Sequence, residues 1–274
     1  MKLGFISDLH YDVNESILNN RKDHITEDQM VEDTLEEINI LGLDYLFISG
    51  DITNSLKGID VVKRLNSGRT KVYYVIGNHD VWSAGFKDTW AIYQKFLEDE
   101  YCLVGKELKI REDLSVVGMF SWYDGSFDTE GKSKHYYEIM KMLWADARFT
   151  DWGMANDRLS TKFIHQAEEV LSEVTDKDII LLNHFVPHKD FIIHEEGNEN
   201  WNFGNGFMGT DKIMNLVSKD DRIKIVTFGH THKQFGKVEK EGITFIGNPL
   251  GYVDEWTEKS FKGQLKKKLI IKEI

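Results

Sequence analysis

Five short motifs carry the side chains of this chain that could do chemistry: Asp8-Leu9-His10, Gly50-Asp51, Gly77-Asn78-His79-Asp80, Asn183-His184 and Gly229-His230-Thr231-His232. Carboxylates, an amide and imidazoles, with no thiol among them, form a donor set suited to Mn, Fe, Zn, Ni or Co, and these residue types do not rank the metals. The spacing adds to the types. Asp8 and His10 lie two residues apart, as do His230 and His232. On an extended backbone such pairs point to one side, so each pair is expected to grip one ion. A polar turn is the plain alternative for any single motif, since Asn and Asp are common turn and helix-capping residues. Recurrence argues against it, because every motif closes an apolar run.

Those runs must position the motifs. Val72–Ile76 is β-branched and aromatic and reads as a buried strand, after which Gly77 frees the backbone for a turn. Leu3–Ser7, Tyr45–Ser49, Ile179–Leu182 and Ile223–Phe228 read the same way. In an open α/β sheet, ligands gather outside the carboxyl ends of the strands, where all five motifs would fall. Between the strands, Thr26 is placed to cap a helix that runs through Val31, Leu35, Ile38 and Leu41 to Gly42. Further helices are predicted at Ile59–Leu65, Thr89–Leu97, Asp157–Val174 and Thr210–Val217, and further strands at Leu114–Met119, Ile243–Ile246 and Leu269–Ile274. Tyr11–Ile25 reads as a polar loop, and Lys266-Lys267-Lys268 as a solvated strand edge. Strands alternating with helices predict a parallel, helix-covered sheet. With no repeat or linker in view, residues 1–274 read as one domain.

Two segments stand out from this pattern. Residues 120–152 hold nine aromatics: Phe120, Trp122, Tyr123, Phe127, Tyr136, Tyr137, Trp144, Phe149 and Trp152. They are either core, with Tyr136, Met140, Leu143 and Ala147 on one helical face, or a lid inserted over the site. Residues 189–210 show little periodicity and follow His184 closely, as a substrate-facing loop would.

The composition sets limits. A formal charge of −12 argues against a general nucleic-acid or anionic-membrane surface, although bound metal can reverse the sign locally for a phosphate. The single cysteine, Cys102, permits no internal disulfide. No apolar run approaches the roughly 18–20 residues of a membrane span, and the first motif stands at residue 8, so the cytoplasm is the expected compartment. His24, His135, His165, His188 and His194 are expected on the surface or in local contacts, His188 being the best exception.

In order and spacing, the five motifs resemble those of the calcineurin-like metallophosphoesterase family. The resemblance implies an α/β fold, a four-layer α-β-β-α sandwich of two mixed sheets covered by helices. It implies a site in which Asp8, His10 and His232 hold one metal, Asn78, His184 and His230 hold a second, and Asp51 bridges them. The implied activity is hydrolysis of phosphomono- or phosphodiesters of small molecules by a metal-bridged hydroxide. His79 would protonate the leaving group and Asp80 would orient its imidazole. Gly247-Asn248-Pro249 resembles a segment that closes the site in some members. Where the purple acid phosphatases carry a tyrosine ligand, three residues past the bridging Asp, this chain has Asn54, so that subgroup is not expected. A protein phosphatase and a non-catalytic scaffold are the competing readings. The scaffold is disfavoured because every ligand and His79 are present.

Overall fold

Three apolar runs become parallel neighbours at the start of the chain: β1 (Lys2–Ile6), β2 (Tyr45–Ser49) and β3 (Lys71–Val75). The fold is that of a computed structural model, which describes residues 1–20, 25–83 and 88–274. Expectations for His24 and for the other residues of 21–24 lie outside the described residues. The final strand, β10 (Ile270–Glu273), returns antiparallel beside β1 and completes a four-stranded sheet of order β10-β1-β2-β3.

A second sheet is built from β4 (Lys106–Arg111), β5 (Leu114–Gly118), β6 (Asp178–Leu182), β7 (Ile223–Phe228), β8 (Gly236–Lys240) and β9 (Ile243–Gly247). Its order is β4-β5-β6-β7-β9-β8, with β5, β6, β7 and β9 parallel and the two outer strands antiparallel to their neighbours. The sheets meet face to face, and the Ser49 and Thr227 hydroxyls hydrogen-bond across the seam at 2.6 Å. One apolar cluster fills the seam and the outer face of the first sheet; a second lies under the helices of the other sheet. Two mixed sheets with helices outside form the α/β sandwich the motifs imply.

The helix at Glu27–Leu41 forms where capping and period agree. Thr26 Oγ1 accepts from the Gln29 amide at 3.1 Å, and Gly42 ends the helix with a left-handed φ of 61°. Elsewhere the structure corrects the expectation. Tyr11–Asn20 is a helix, not a loop. Its inward face is anchored by hydrogen bonds, which apolar periodicity does not register: Tyr11 to Thr34 at 2.8 Å, and the Asn14 amide to the Leu9 and Gly251 carbonyls at 3.0 and 3.2 Å. Lys266–Lys268 close a helix, Phe261–Lys268, and form no strand edge; Phe261, Gln264, Leu265 and Lys268 recur at helical spacing and face inward. The proposed face of Tyr136, Met140, Leu143 and Ala147 does not exist as one surface. The chain breaks into a helix at Lys134–Met140, a 3-10 turn and a short helix at Asp146–Phe149, leaving Leu143 63% exposed. Residues 189–210 contain a helix, Glu199–Asn205, and are less irregular than expected. Among the described residues, no helix is long and apolar enough to cross a membrane.

Candidate metal centre

All five motifs arrive together at the carboxyl ends of β1, β2, β3, β6 and β7. The backbone there leaves the extended conformation at once. Asp8, His10, Asp51, His230 and His232 adopt left-handed φ values of 54°, 44°, 56°, 66° and 53°. Non-glycine residues avoid this region, and such strain collects at functional sites. It also corrects the expectation drawn from the i, i+2 spacing. None of the four residues is extended, and the spacing does not decide the grouping: Asp8 and His10 fall together with His232, whereas His230 falls with Asp51 and His184. Two glycines leave room for the carboxylates. A Cβ on Gly77 would collide with Asp51, and one on Gly229 with Asp8.

The side chains gather as Asp8, His10 and His232 on one side and Asp51, His184 and His230 on the other, with His79 grouping with His10 and Asp51. Asp51 stands between the two sides. Its Oδ2 lies 3.7 Å from His10 Nε2 and 3.3 Å from His184 Nε2, while its Oδ1 accepts from the His79 amide at 2.9 Å. Asn78 Oδ1 is 3.2 Å from His184 Nε2. Every residue expected to hold metal is therefore in one place, and all but His230 and His232 are buried there.

Outer partners set which imidazole nitrogen faces inward. His184 Nδ1–H donates to the Ser49 carbonyl at 2.8 Å and His232 Nδ1–H to Glu255 at 2.7 Å, so that Nε2 faces the centre in both. His230 is reversed: Nε2–H donates to the Phe207 carbonyl at 3.1 Å and leaves Nδ1. The donor set fits transition-metal ions. Asp8 Oδ2 and His10 Nδ1 are buried without a hydrogen-bond partner among the described residues. The Nε2 atoms of His10 and His232 face each other at 3.1 Å, where a proton or a cation must mediate.

The charges respond to this crowding. Burial alone would push the Asp8 carboxyl up, but the hydrogen bond and charge of His232 hold it down at about 2. Asp51 is held well below its ordinary value by His184 and His79, again against burial. Burial pulls His184 down, yet Asp51 and Asp8 outweigh it and raise the imidazole to about 9. Asp8 and Glu255 likewise raise His232 to about 10. His230 falls to about 3, through burial and the neighbouring His184. Without metal, protons on His184 and His232 balance the two aspartates, and metal uptake must displace them.

His79 lies beside this cluster. Asn54 Oδ1 meets its Nδ1 at 2.9 Å, and the Tyr252 hydroxyl approaches its Nε2 at 3.4 Å. Trp82 stacks on its ring, with centroids 3.6 Å apart and planes 28° apart, and Phe149 stacks on Trp82 at 4.5 Å. The role expected of Asp80 is corrected. Its carboxylate accepts from the amides of Asp51 and Gly77, both at 2.8 Å, and of Ile52 at 3.1 Å. Asp80 thus ties the β2 and β3 turns together, and Asn54 is the group that orients the His79 ring.

Sequence reasoning passed over Asp146, Trp82, Tyr252 and Glu255. Each acts across at least 23 residues of chain except Trp82, whose closeness to His79 was the one available signal. Gly247-Asn248-Pro249 leads into the segment that brings in the last two: the Leu250 and Gly251 amides donate to the Ser7 and Asp8 carbonyls at 2.9 and 3.0 Å. Among the remaining histidines, His188 accepts from the Asp190 amide at 3.0 Å, and His165 and His194 pair with Glu168 and Glu130.

Comparison with curated protein sequences found no match. Solved structures did match. The fold is similar to that of the phosphopantetheinyl hydrolase of Mycobacterium tuberculosis, with a TM-score of 0.69 at 20% identity over 95% of this chain and 94% of that one. A dimetal phosphatase from Danio rerio follows, with a TM-score of 0.54 at 16% identity over 91% and 87%. TT1561 of Thermus thermophilus matches with a TM-score of 0.52 at 13% identity over 99% and 97%. At these identities the likeness is one of fold. The sequence itself matches the family model of calcineurin-like phosphoesterases over residues 1–234, which takes in all five motifs and stops short of Tyr252 and Glu255, and the chain belongs to that family.

Proposed function

We propose that the protein is a phosphoric ester hydrolase with a dinuclear metal centre. Asp8, His10 and His232 would hold one ion, Asn78, His184 and His230 the other, and Asp51 both. The observation that carries this reading is the position of Asp51 Oδ2, within 3.7 Å of an imidazole nitrogen on either side. When bound, the ions supply a water of lowered pKa and a polarised phosphoryl group. The chain's own residues do the rest. Asn54 holds the Nδ1 proton of His79, so Nε2 carries the second proton of the imidazolium and is the atom that passes it to the leaving oxygen, leaving the neutral ring. Trp82 and Phe149 wall the side of the site where the leaving group departs, which suits a small ester with a planar or apolar leaving group. On this reading the lid alternative for residues 120–152 narrows to Phe149, which stacks behind Trp82.

The test is a substrate panel on protein reconstituted with Mn or Fe and analysed for metal. It includes nitrophenyl and alkyl phosphates, cyclic nucleotides, a phosphopeptide and, prompted by the structural likeness, a phosphopantetheinyl diester. The expected result is about two metal equivalents per chain and turnover of at least one small ester. One equivalent or none, or turnover of the phosphopeptide alone, would overturn it.

A further inference from the structure

One buried carboxylate outside the five motifs touches the centre through Asn78 and through the ring stacked on His79. Asp146 is 1% exposed and lies in the short helix that ends the aromatic stretch. Its Oδ1 accepts from Asn78 Nδ2 at 2.8 Å and from Trp82 Nε1 at 2.6 Å, and its Oδ2 accepts from Trp144 Nε1 at 3.1 Å. Among the described residues, no cation pairs with it. A charged group kept at such a place has to be explained, since a buried carboxylate with only neutral donors is costly.

We propose that Asp146 is a positioning residue: it sets the amide of Asn78 toward the metal centre and holds the plane of Trp82 against His79. The first half follows from hydrogen-bond chemistry. An amide side chain has one accepting and one donating end, and nothing in its own geometry chooses between them. A carboxylate only accepts. Asp146 therefore takes the NH₂ end, and Oδ1, the end that can ligate a metal, points at His184 Nε2. The second half follows from the shared oxygen. The Oδ1 that orients Asn78 also holds the indole N–H of Trp82, which stacks on the His79 ring. One atom thus couples the His184–His230 half of the centre to the proton-transfer histidine, and the aromatic stretch supplies it from 68 residues away.

The inference rests on the dinuclear reading, so the experiment begins with the wild-type chain. Metal stoichiometry and stepwise affinity are measured by calorimetry and elemental analysis for wild type, Asp146→Asn, Trp144→Phe and the reciprocal swap N78D/D146N. Two equivalents in wild type are required, and fewer would overturn both readings. In Asp146→Asn one of the two steps is expected to lose about 10–100-fold in affinity while the other is unchanged, the usual scale for removing the outer partner of a ligand. Trp144→Phe takes a hydrogen bond from the same carboxylate without touching Asn78, so it is expected to lower Tm and leave both steps intact. In the swap, the new carboxylate at position 78 needs no orientation and the amide at 146 donates to it, so the step lost in Asp146→Asn is expected to recover. The swap also decides the matter if Asp146→Asn does not fold. Wild-type affinity in Asp146→Asn, or equal losses in Asp146→Asn and Trp144→Phe, or a swap that recovers nothing would overturn the positioning role and leave the dinuclear reading standing.

Discussion

At the scale of single residues, His79 is the point where geometry and chemistry must agree. It neighbours Asn78, a proposed ligand, groups spatially with His10 and Asp51, and is buried enough that its imidazole is pulled below the ordinary histidine value, although Asp51 and Asp146 work against the pull. A lowered value makes the imidazolium the readier proton donor, which suits a group that protonates a leaving oxygen. His79→Asn is expected to keep its metal and lose about 10²–10⁴-fold in kcat, the range for a missing general acid. The loss should shrink for nitrophenyl phosphate, whose leaving group needs little protonation, and stay large for an alkyl phosphate. Equal losses for the two esters, measured beside metal content, would remove the acid role. The identity of His79 was legible in the sequence because it sits inside a motif. Its partners were not. Asn54 and Tyr252 become partners through the turn after β2 and a return of the chain 173 residues later, which no local pattern encodes, and the nearness of Trp82 in the chain does not by itself show that its ring stacks on His79.

At the scale of elements, legibility followed burial. The strands that end in the five motifs are continuous apolar runs covered on both faces, which is what a parallel sheet inside a sandwich demands. β4 and β8, KELKIR and GKVEK, alternate polar and half-buried residues at the sheet's two edges and present no such run. The aromatic stretch shows the same limit. Its composition is visible, but composition does not sort its members. Trp122 and Tyr123 are buried at 1% and 2% exposure within the main core, whereas Phe149 and the nearby Trp82 are half-buried and stacked in line with His79. The two groups should respond differently to truncation. Trp122→Ala is expected to cost about 3–5 kcal/mol of stability, as a large buried ring does, and to leave substrate preference as it was. Phe149→Ala and Trp82→Ala are expected to raise KM for the preferred ester with a smaller fall in Tm. Thermal melts run beside a substrate panel check both. A change of preference in Trp122→Ala without a large fall in Tm would reverse the assignment.

At the scale of the whole molecule, the centre is a seam. Asp8, Asp51 and Asn78 come from the four-stranded sheet, and His184, His230 and His232 from the six-stranded one. Metal on these residues would tie the two halves of the sandwich at one end. Direct bonds already join them there: Ser49 to Thr227, the His184 ring to the Ser49 carbonyl, and the His230 amide to Asp8 at 2.9 Å. The metal-free protein should therefore stay folded while losing the binding contribution, about 2.7 kcal/mol at a free metal concentration 100 times Kd. The loss should also be local. Amide hydrogen exchange after chelation is expected to quicken at the carboxyl ends of β1, β2, β6 and β7 and to stay unchanged in β4 and β8, which lie away from the seam. The left-handed residues at the strand ends make this the region with most to gain from a clamp, since their strain is held by the contacts around them. A uniform rise in exchange across both sheets would mean that metal stabilises the fold as a unit, and an unchanged Tm would mean that the direct bonds close the seam by themselves. Either result would contradict a clamp that acts at one end of the sandwich.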